Sequence, residues 1–203
     1  MKHMIKLLFL LIFIFSINYF TFSKVKPLES FSLGETKAMI SNYYNNKNYP
    51  TPLSMRYNQK TDEKNRITEF IEIYFNDYLN RSCIVLNTRD RKKFLKLVDK
   101  ALQRVKSTDE KIDSEIGELP VGISWKKGNS EWIDTDNNKM FINVKTSVDK
   151  THEMVISFSE TAMENEKYKP GTLYLNEAGI NGIINSLSDE NYNSLLKEAK
   201  PKN

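Results

Sequence analysis

Two hydrophobic periods alternate along this chain. Between Arg81 and Lys106 a short apolar run, Cys83-Ile84-Val85-Leu86, passes straight into a stretch where Phe94, Leu95, Val98, Ala101, Leu102 and Val105 recur at three- and four-residue steps. That change of period predicts a strand followed by an amphipathic helix, with Asp90 placed to cap it. From Leu119 the period becomes two: Leu119, Val121, Ile123 and Trp125, then Met140, Ile142, Val144 and Thr146, then Met154, Ile156 and Phe158 each alternate with polar neighbours. Lys127-Gly-Asn-Ser130 and Ser147-Val-Asp-Lys150 read as turns, and Trp132-Ile133 as the opening of a short return. Asp134-Thr-Asp-Asn-Asn138 reads as an Asx-rich hairpin turn. A polar loop over 160–171 leads to a last strand at Thr172–Leu175. Connections this short favour antiparallel neighbours.

Asn176 then caps a helix bearing Ile180, Ile183, Ile184 and Leu187. Gly179 and Gly182 weaken that helix by roughly 1 kcal/mol each relative to alanine, so it has to rely on tertiary packing. Tyr192, Leu195, Leu196 and Ala199 give a final short helix before Pro201.

The N-terminal part reads differently. Ser32-Leu-Gly-Glu35 has the capping-box spacing, and Leu33, Thr36, Ile40, Tyr43 and Tyr44 follow at helical intervals, which predicts a helix over 33–44. Asn45 to Pro52 ends it, and Leu53, Met55 and Tyr57 alternate as a short strand. Residues 66–79 fit helix and strand patterns alike, but their β-branched and aromatic content favours a strand paired with 82–86.

One pattern recurs. Leu86-Asn87 followed by Phe94-Leu95 and Val98 matches Leu175-Asn176 followed by Ile183-Ile184 and Leu187, at an offset of 89 residues. The expected fold class is α+β: antiparallel β-meander sheet packed by amphipathic helices, with two strand-plus-helix repeats as a form it can take. The expected organisation is a signal peptide at 1–23, an N-terminal helix and linker at 24–52, and an α+β domain at 53–203 with sub-units at 53–110 and 119–203. This order of elements is similar in outline to single-stranded-nucleic-acid-binding modules built from repeated four-strand-plus-helix units. The likeness is one of element order and carries no motif.

Charge and composition change this picture in one respect. Lys2, His3 and Lys6 precede an unbroken apolar run over Leu7–Phe15, and Thr21 and Ser23 supply small residues behind it, the pattern of a secretory signal peptide. Asn18 leaves the run short for a membrane span, so an uncleaved anchor is the alternative. Either reading expects the remaining chain outside the cytoplasm, in the periplasm, the cell envelope or the medium. Without Lys2 and Lys6, the 30 Lys+Arg fall to 28 against 26 Asp+Glu, a net charge of +2. The basic pI of about 8.9 therefore says little about nucleic acid, which is not an expected partner. Cys83, the one cysteine, excludes an internal disulfide.

Candidate chemistry is sparse. Lys92, Lys96, Lys100 and Arg104 line the polar face of the predicted helix, a candidate anion or nucleic-acid surface. The acidic residues Asp109, Glu110, Asp113, Glu115 and Glu118 follow close behind as their counter-charge. His152 is the single histidine beyond the signal segment and the centre of any small hydrolase site, but no Gly-x-Ser-x-Gly elbow accompanies it. Asp134 to Asn138 begins like a calcium loop but has Lys139 where glycine belongs and Lys145 where a bidentate glutamate belongs. Asn80-Arg-Ser82 fits a glycosylation sequon. These readings lead to an exported, non-enzymatic binding or interaction module, with no metal or other cofactor expected and a protein or small-molecule partner outside the cytoplasm.

Overall fold

The fold was taken from a computed structural model, which describes residues 30–41, 48–61, 64, 66–77, 80–162 and 167–199. Residues 1–23, expected as a signal peptide, and the aromatic pair at 43–44 lie outside the described residues. Four strands come first: β1 (Phe31–Ser41), β2 (Asn48–Thr61), β3 (Ile67–Asp77) and β4 (Asn80–Asn87). Helix α1 (Arg91–Val105) follows, then β5 (Asp113–Lys127), β6 (Ile133–Thr146) and β7 (His152–Phe158). A small ribbon, β8 (Thr161–Ala162) with β9 (Lys167–Tyr168), precedes β10 (Thr172–Leu175), α2 (Glu177–Leu187) and α3 (Asp189–Ala199). The fold is thus mostly antiparallel sheet with helices, as α+β implies.

Eight strands close into one barrel in the order β1-β2-β3-β4-β5-β6-β7-β10, with β10 returning to β1. Every neighbouring pair is antiparallel. The stretches 53–110 and 119–203 are joined within that sheet, because β4 pairs with β5 from Asn80↔Lys127 to Val85↔Gly122. Closure removes both sheet edges, which would otherwise present unpaired backbone groups. Since directions alternate around the barrel, β4 and β10 run the same way, and α1 and α2 leave from the same end. The other end carries the β8–β9 ribbon.

The interior is filled. Leu53, Met55, Tyr57, Ile71, Ile84, Leu86, Leu119, Ile123, Met140, Ile142, Val144 and Ile156 are buried on the inward phase of their strands. Phe94, Val98 and Ala101 of α1 and Ile180, Ile183 and Leu187 of α2 join the same core. Eight strands give a barrel just wide enough for side chains to fill. Each large apolar side chain so placed contributes about 1.5–3 kcal/mol. The outward phase carries Glu35, Lys37, Arg56, Glu72, Glu118, Lys126, Lys139 and Lys145 among others. Apolar inside and charged outside is the reverse of a lipid-spanning barrel. Among the described residues no helix is long and apolar enough to cross a membrane.

The break expected from Asn45 to Pro52 is strand β2 from Asn48 on, and the polar loop expected over 160–171 carries the β8–β9 ribbon. Two further sequence expectations fail at β-bulges. The helix expected over 33–44 is strand β1 as far as Ser41, where the described residues break off. Its pairing with β2 steps from Ser32↔Arg56 to Gly34↔Met55, leaving Leu33 as an extra residue. The bulge puts buried Leu33 out of phase with buried Ala38 and Ile40, so a strand acquires three- and four-residue spacings that imitate a helix. The hairpin turn expected at Asp134–Asn138 is part of the continuous strand β6. There Val121↔Asn138 is followed by Ile123↔Thr135, and Asn137 takes a left-handed φ of 66°. Asparagine tolerates that conformation, so the same residue type marks a bulge in place of a turn. Residues 67–77 are strand, as their composition favoured.

Helix α2 braces a short seam. Strand β10 meets β1 over only three register pairs, Met39↔Tyr174 to Ser41↔Thr172. Below them α2 lies directly on β1. The Thr36 hydroxyl donates to the Gly179 carbonyl at 3.2 Å, and the Asn191 amide of α3 donates to the Leu33 carbonyl at 2.8 Å. Gly179 and Gly182 allow this approach: a Cβ at Gly179 would stand 2.7 Å from the Lys37 carbonyl oxygen, and one at Gly182 2.2 Å from Thr36 Oγ1. The two glycines that weaken the helix locally are what seat it.

Candidate functional site

Helix α1 presents the expected basic face. Lys92, Lys96, Lys100 and Arg104 are all exposed, and Arg91, Phe94, Val98, Ala101 and Leu102 form the buried side. The stripe is countered at both ends. Lys92 Nζ stands 3.6 Å from Asp189 Oδ2, and Arg104 stands 3.3 Å from Asp109 Oδ2. The second contact uses the acidic segment that the sequence placed behind the helix; the first comes from α3. Asp90 occupies the N-cap position without a side-chain capping bond. The Asn87 side chain instead accepts from the Arg89 amide at 3.0 Å and fixes the preceding turn.

His152 stands at the start of β7 with both ring nitrogens engaged. Nδ1 lies 3.0 Å from Thr146 Oγ1, and Nε2 lies 2.9 Å from the Asp109 carbonyl. A carbonyl only accepts, so Nε2 carries a proton, and the ring ties β6 and β7 to the segment after α1. Asp134 accepts from Ser124 Oγ at 2.6 Å on the outer face of the barrel. Among the described residues no group of three His, Cys, Asp or Glu side chains could hold a metal ion. Cys83 is 2% exposed on β4, and burial pushes its thiol up. Ser82 of the sequon is fully buried within the same strand.

Inward polar residues gather at both barrel ends, where alternation carries a strand past the apolar core. At the ribbon end, buried Asp77 accepts from the Gly171 amide at 3.0 Å and the Tyr168 hydroxyl at 3.2 Å, and Tyr168 also meets Ser82 Oγ at 2.5 Å. Tyr168 stacks on Trp125 with centroids 4.3 Å apart. These contacts pin the β7–β10 connection over the barrel mouth.

At the helical end the inward positions beyond Tyr57 and before Ile71 are Gln59 and Glu69. The fully buried Tyr57 donates from its hydroxyl to Glu69 Oε1 at 2.7 Å, and Gln59 Nε2 donates to the Tyr57 oxygen at 2.7 Å. Phe31 stacks on Tyr57 at 4.8 Å, and Tyr192 meets it edge-on at 6.0 Å. Burial, followed by the bond to Glu69, pushes the Tyr57 phenol up, so it stays a neutral donor. Arg91, 4% exposed, lies 4.4 Å over the Tyr192 ring and bonds the Leu187 carbonyl and Asp189, joining α1 to α3.

Beside this cluster is a cleft of about 420 Å³, between the β2 and β3 ends and the turn into α1. Gln59, Thr68, Glu69, Asn87, Thr88 and Arg89 face it. A second cleft of about 420 Å³ lies at the β10–α2 junction, where Asn176 stands at the 89-residue offset from Asn87. Its walls are mostly apolar, from Met39, Pro50, Tyr174 and Ala178, with Lys37 and Glu153 at its margins. Burial, followed by the charge of Asp149, holds the Glu153 carboxyl above its ordinary range.

Gln59, Glu69 and Arg89 escaped the sequence reading. The signal was present in the phase: Gln59 continues Leu53, Met55 and Tyr57, and Glu69 leads into Ile71, Ile73 and Phe75. A polar residue on the inward phase at a strand end marks a rim position. No protein-family model, curated protein or solved structure matches this chain.

Proposed function

We propose that this chain is an exported, non-enzymatic binding module that recognises its ligand or partner on the outside of a filled barrel, at a helix-strand junction. The observation that carries the reading is the packed interior: Tyr57, Phe94, Phe158 and Met140 are less than 2% exposed, so the chain's own side chains occupy the core between the barrel walls. Recognition then falls to surface clefts, and the two that adjoin the strand-to-helix junctions are of small-molecule size. The non-enzymatic part is supported by His152, whose ring is occupied at both nitrogens in bracing the barrel. Export rests on the basic start and apolar run of residues 1–23.

The correspondence of β1–β4 plus α1 with β5–β7, β10 plus α2 supports reading the chain as two strand-plus-helix repeats, the Leu-Asn pair marking the same junction in each. Cell fractionation tests export: the full-length chain is expected outside the cytoplasm, and a chain lacking residues 2–23 inside it. Full-length chain retained in the cytoplasm would overturn that part of the reading.

A second reading makes the exposed Lys92, Lys96, Lys100 and Arg104 an anion or nucleic-acid surface. It is favoured by the even spacing of four exposed cations on one helix and opposed by the carboxylates at either end. Changing all four to Gln is expected to abolish binding of a single-stranded oligonucleotide and its salt dependence if this reading holds. Binding that persists unchanged would remove it.

A further inference from the structure

We propose that the cleft between the β2 and β3 ends and the turn into α1 binds small zwitterions of the α-amino-acid class, the ligand ammonium on Glu69 and its carboxylate on Arg89. The inference rests on the binding-module reading above and gives it a ligand class.

The cleft offers one carboxylate and one guanidinium across a space of about 420 Å³. Glu69 and Arg89 make no ion pair with each other within 4 Å, and among the described residues neither is ion-paired elsewhere. A ligand carrying both charges would satisfy both groups at once, whereas a simple anion or cation would satisfy one and be repelled by the other.

The carboxylate is positioned in advance. Glu69 Oε1 takes the Tyr57 hydroxyl at 2.7 Å and Gln59 Nε2 at 3.4 Å, while Oε2 has no partner among the described residues. Tyr57 is locked between Phe31 and Tyr192, so the Glu69 rotamer is set by the core. The turn that holds Arg89 is fixed in the same way. Asn87 Oδ1 takes the Arg89 amide at 3.0 Å, and the Thr88 amide donates to the Glu69 carbonyl at 3.3 Å, which ties the two walls together. The Glu69 carboxylate, held by its own supporting bonds, loses little freedom on binding, while Arg89 is exposed and only its backbone amide is fixed.

The corresponding cleft at the β10–α2 junction lacks this preparation. It also has a cation and a carboxylate, Lys37 and Glu153, but no hydrogen bond among the described residues fixes the Glu153 carboxyl, and its walls are apolar. The same position in the two halves thus carries two chemistries, and the polar one is built for a small charged ligand. A bidentate carboxylate–guanidinium contact gives it a strong end.

The test is calorimetric titration of the purified chain with each proteinogenic L-amino acid, and with the same compounds N-acetylated or amidated. At least one free amino acid is expected to bind with an affinity of about millimolar or better, and blocking either end to weaken it about tenfold. Glu69→Gln and Arg89→Gln are each expected to weaken binding at least about tenfold with unchanged melting temperature, whereas Lys96→Gln leaves binding intact. The inference is overturned if no free amino acid binds, if blocked compounds bind as well as free ones, or if either cleft variant binds as the unaltered chain does. If the chain instead binds a neutral sugar or an oligonucleotide, the zwitterion site falls and the binding-module reading stands. If it binds none of these, the zwitterion site falls.

Discussion

Replacing Gly179 or Gly182 by alanine sets local and tertiary energetics against each other. Both residues lie inside α2, where alanine is the better helix former by about 1 kcal/mol. On local grounds each change should stabilise the protein. The seam predicts the opposite sign. At Gly179 the added methyl would meet the Lys37 carbonyl oxygen at 2.7 Å and Leu175 Cβ at 3.4 Å. The carbonyl belongs to a barrel strand and cannot rotate away. At Gly182 the methyl would meet Thr36 Oγ1 at 2.2 Å and Thr36 Cβ at 2.5 Å. Relief requires α2 to lift off β1, which stretches the 3.2 Å bond from Thr36 to the Gly179 carbonyl and loosens Ile180, Ile183 and Leu187 in the core. Overpacking of this kind costs about 1–3 kcal/mol, and the lost hydrogen bond about 1 kcal/mol more. After subtracting the propensity gain, each variant is expected to be destabilised by about 1–3 kcal/mol, with Gly182→Ala the worse. Urea unfolding followed by circular dichroism measures this, and the melting temperature should fall by several degrees. Stability equal to or above that of the parent in either variant would show that α2 is not held against β1 as described.

Four other expectations follow from particular contacts. Arg91→Met should cost about 2 kcal/mol, from the charge-assisted bond to the Leu187 carbonyl and the cover over Tyr192, read by urea titration. Arg91 also holds the Asp189 carboxyl below its ordinary range; that stabilisation is present above the unfolded carboxylate value and lost as pH falls through the folded one, so Arg91→Met should flatten the acid limb of a stability–pH profile. Glu153→Gln should raise stability near neutrality by about 0.5 kcal/mol or less, because the raised carboxyl penalises the folded state only when ionised; the gain should start to shrink as pH falls through the folded value and be gone below the ordinary carboxyl value. His152→Ala should cost about 1 kcal/mol by releasing Thr146 and the Asp109 carbonyl, and leave turnover unchanged in any hydrolase panel; a loss of turnover would make the ring catalytic. Cys83 should resist a thiol reagent in the native protein and react in urea; reaction at the native rate of an exposed thiol would contradict its burial.

Where each strand kept a single phase, the chain was legible. Leu119–Trp125, Met140–Thr146 and Met154–Phe158 declared themselves, and α1 was plain from its apolar face. Legibility failed where one extra residue broke the phase. Leu33 at the β1 bulge produced a counterfeit helix, and Asn137 at the β6 bulge a counterfeit turn. Closure was hidden for another reason: β10 is four residues long, and its pairing with β1 spans well over a hundred residues of chain that local patterns cannot relate. The candidate cleft was hidden because its charges come from separate elements. Glu69 belongs to β3 and Arg89 to the turn before α1, and neither stands out until Tyr57 is seen holding the Glu69 carboxylate and Asn87 the Arg89 backbone. The basic stripe, conspicuous in the sequence, is met by Asp109 and Asp189 in the fold.

Recognition at the surface clefts requires a closed barrel. An open sheet would leave β1 and β10 as edges, free to recognise a partner by strand addition. The direct measurement is a set of nuclear Overhauser contacts across the seam in the labelled protein. Contacts between Met39 and Tyr174, Ile40 and Leu173, and Ser41 and Thr172 are expected alongside those of β3 with β4. Strong β3–β4 contacts with none across the β1–β10 seam would contradict the closed barrel.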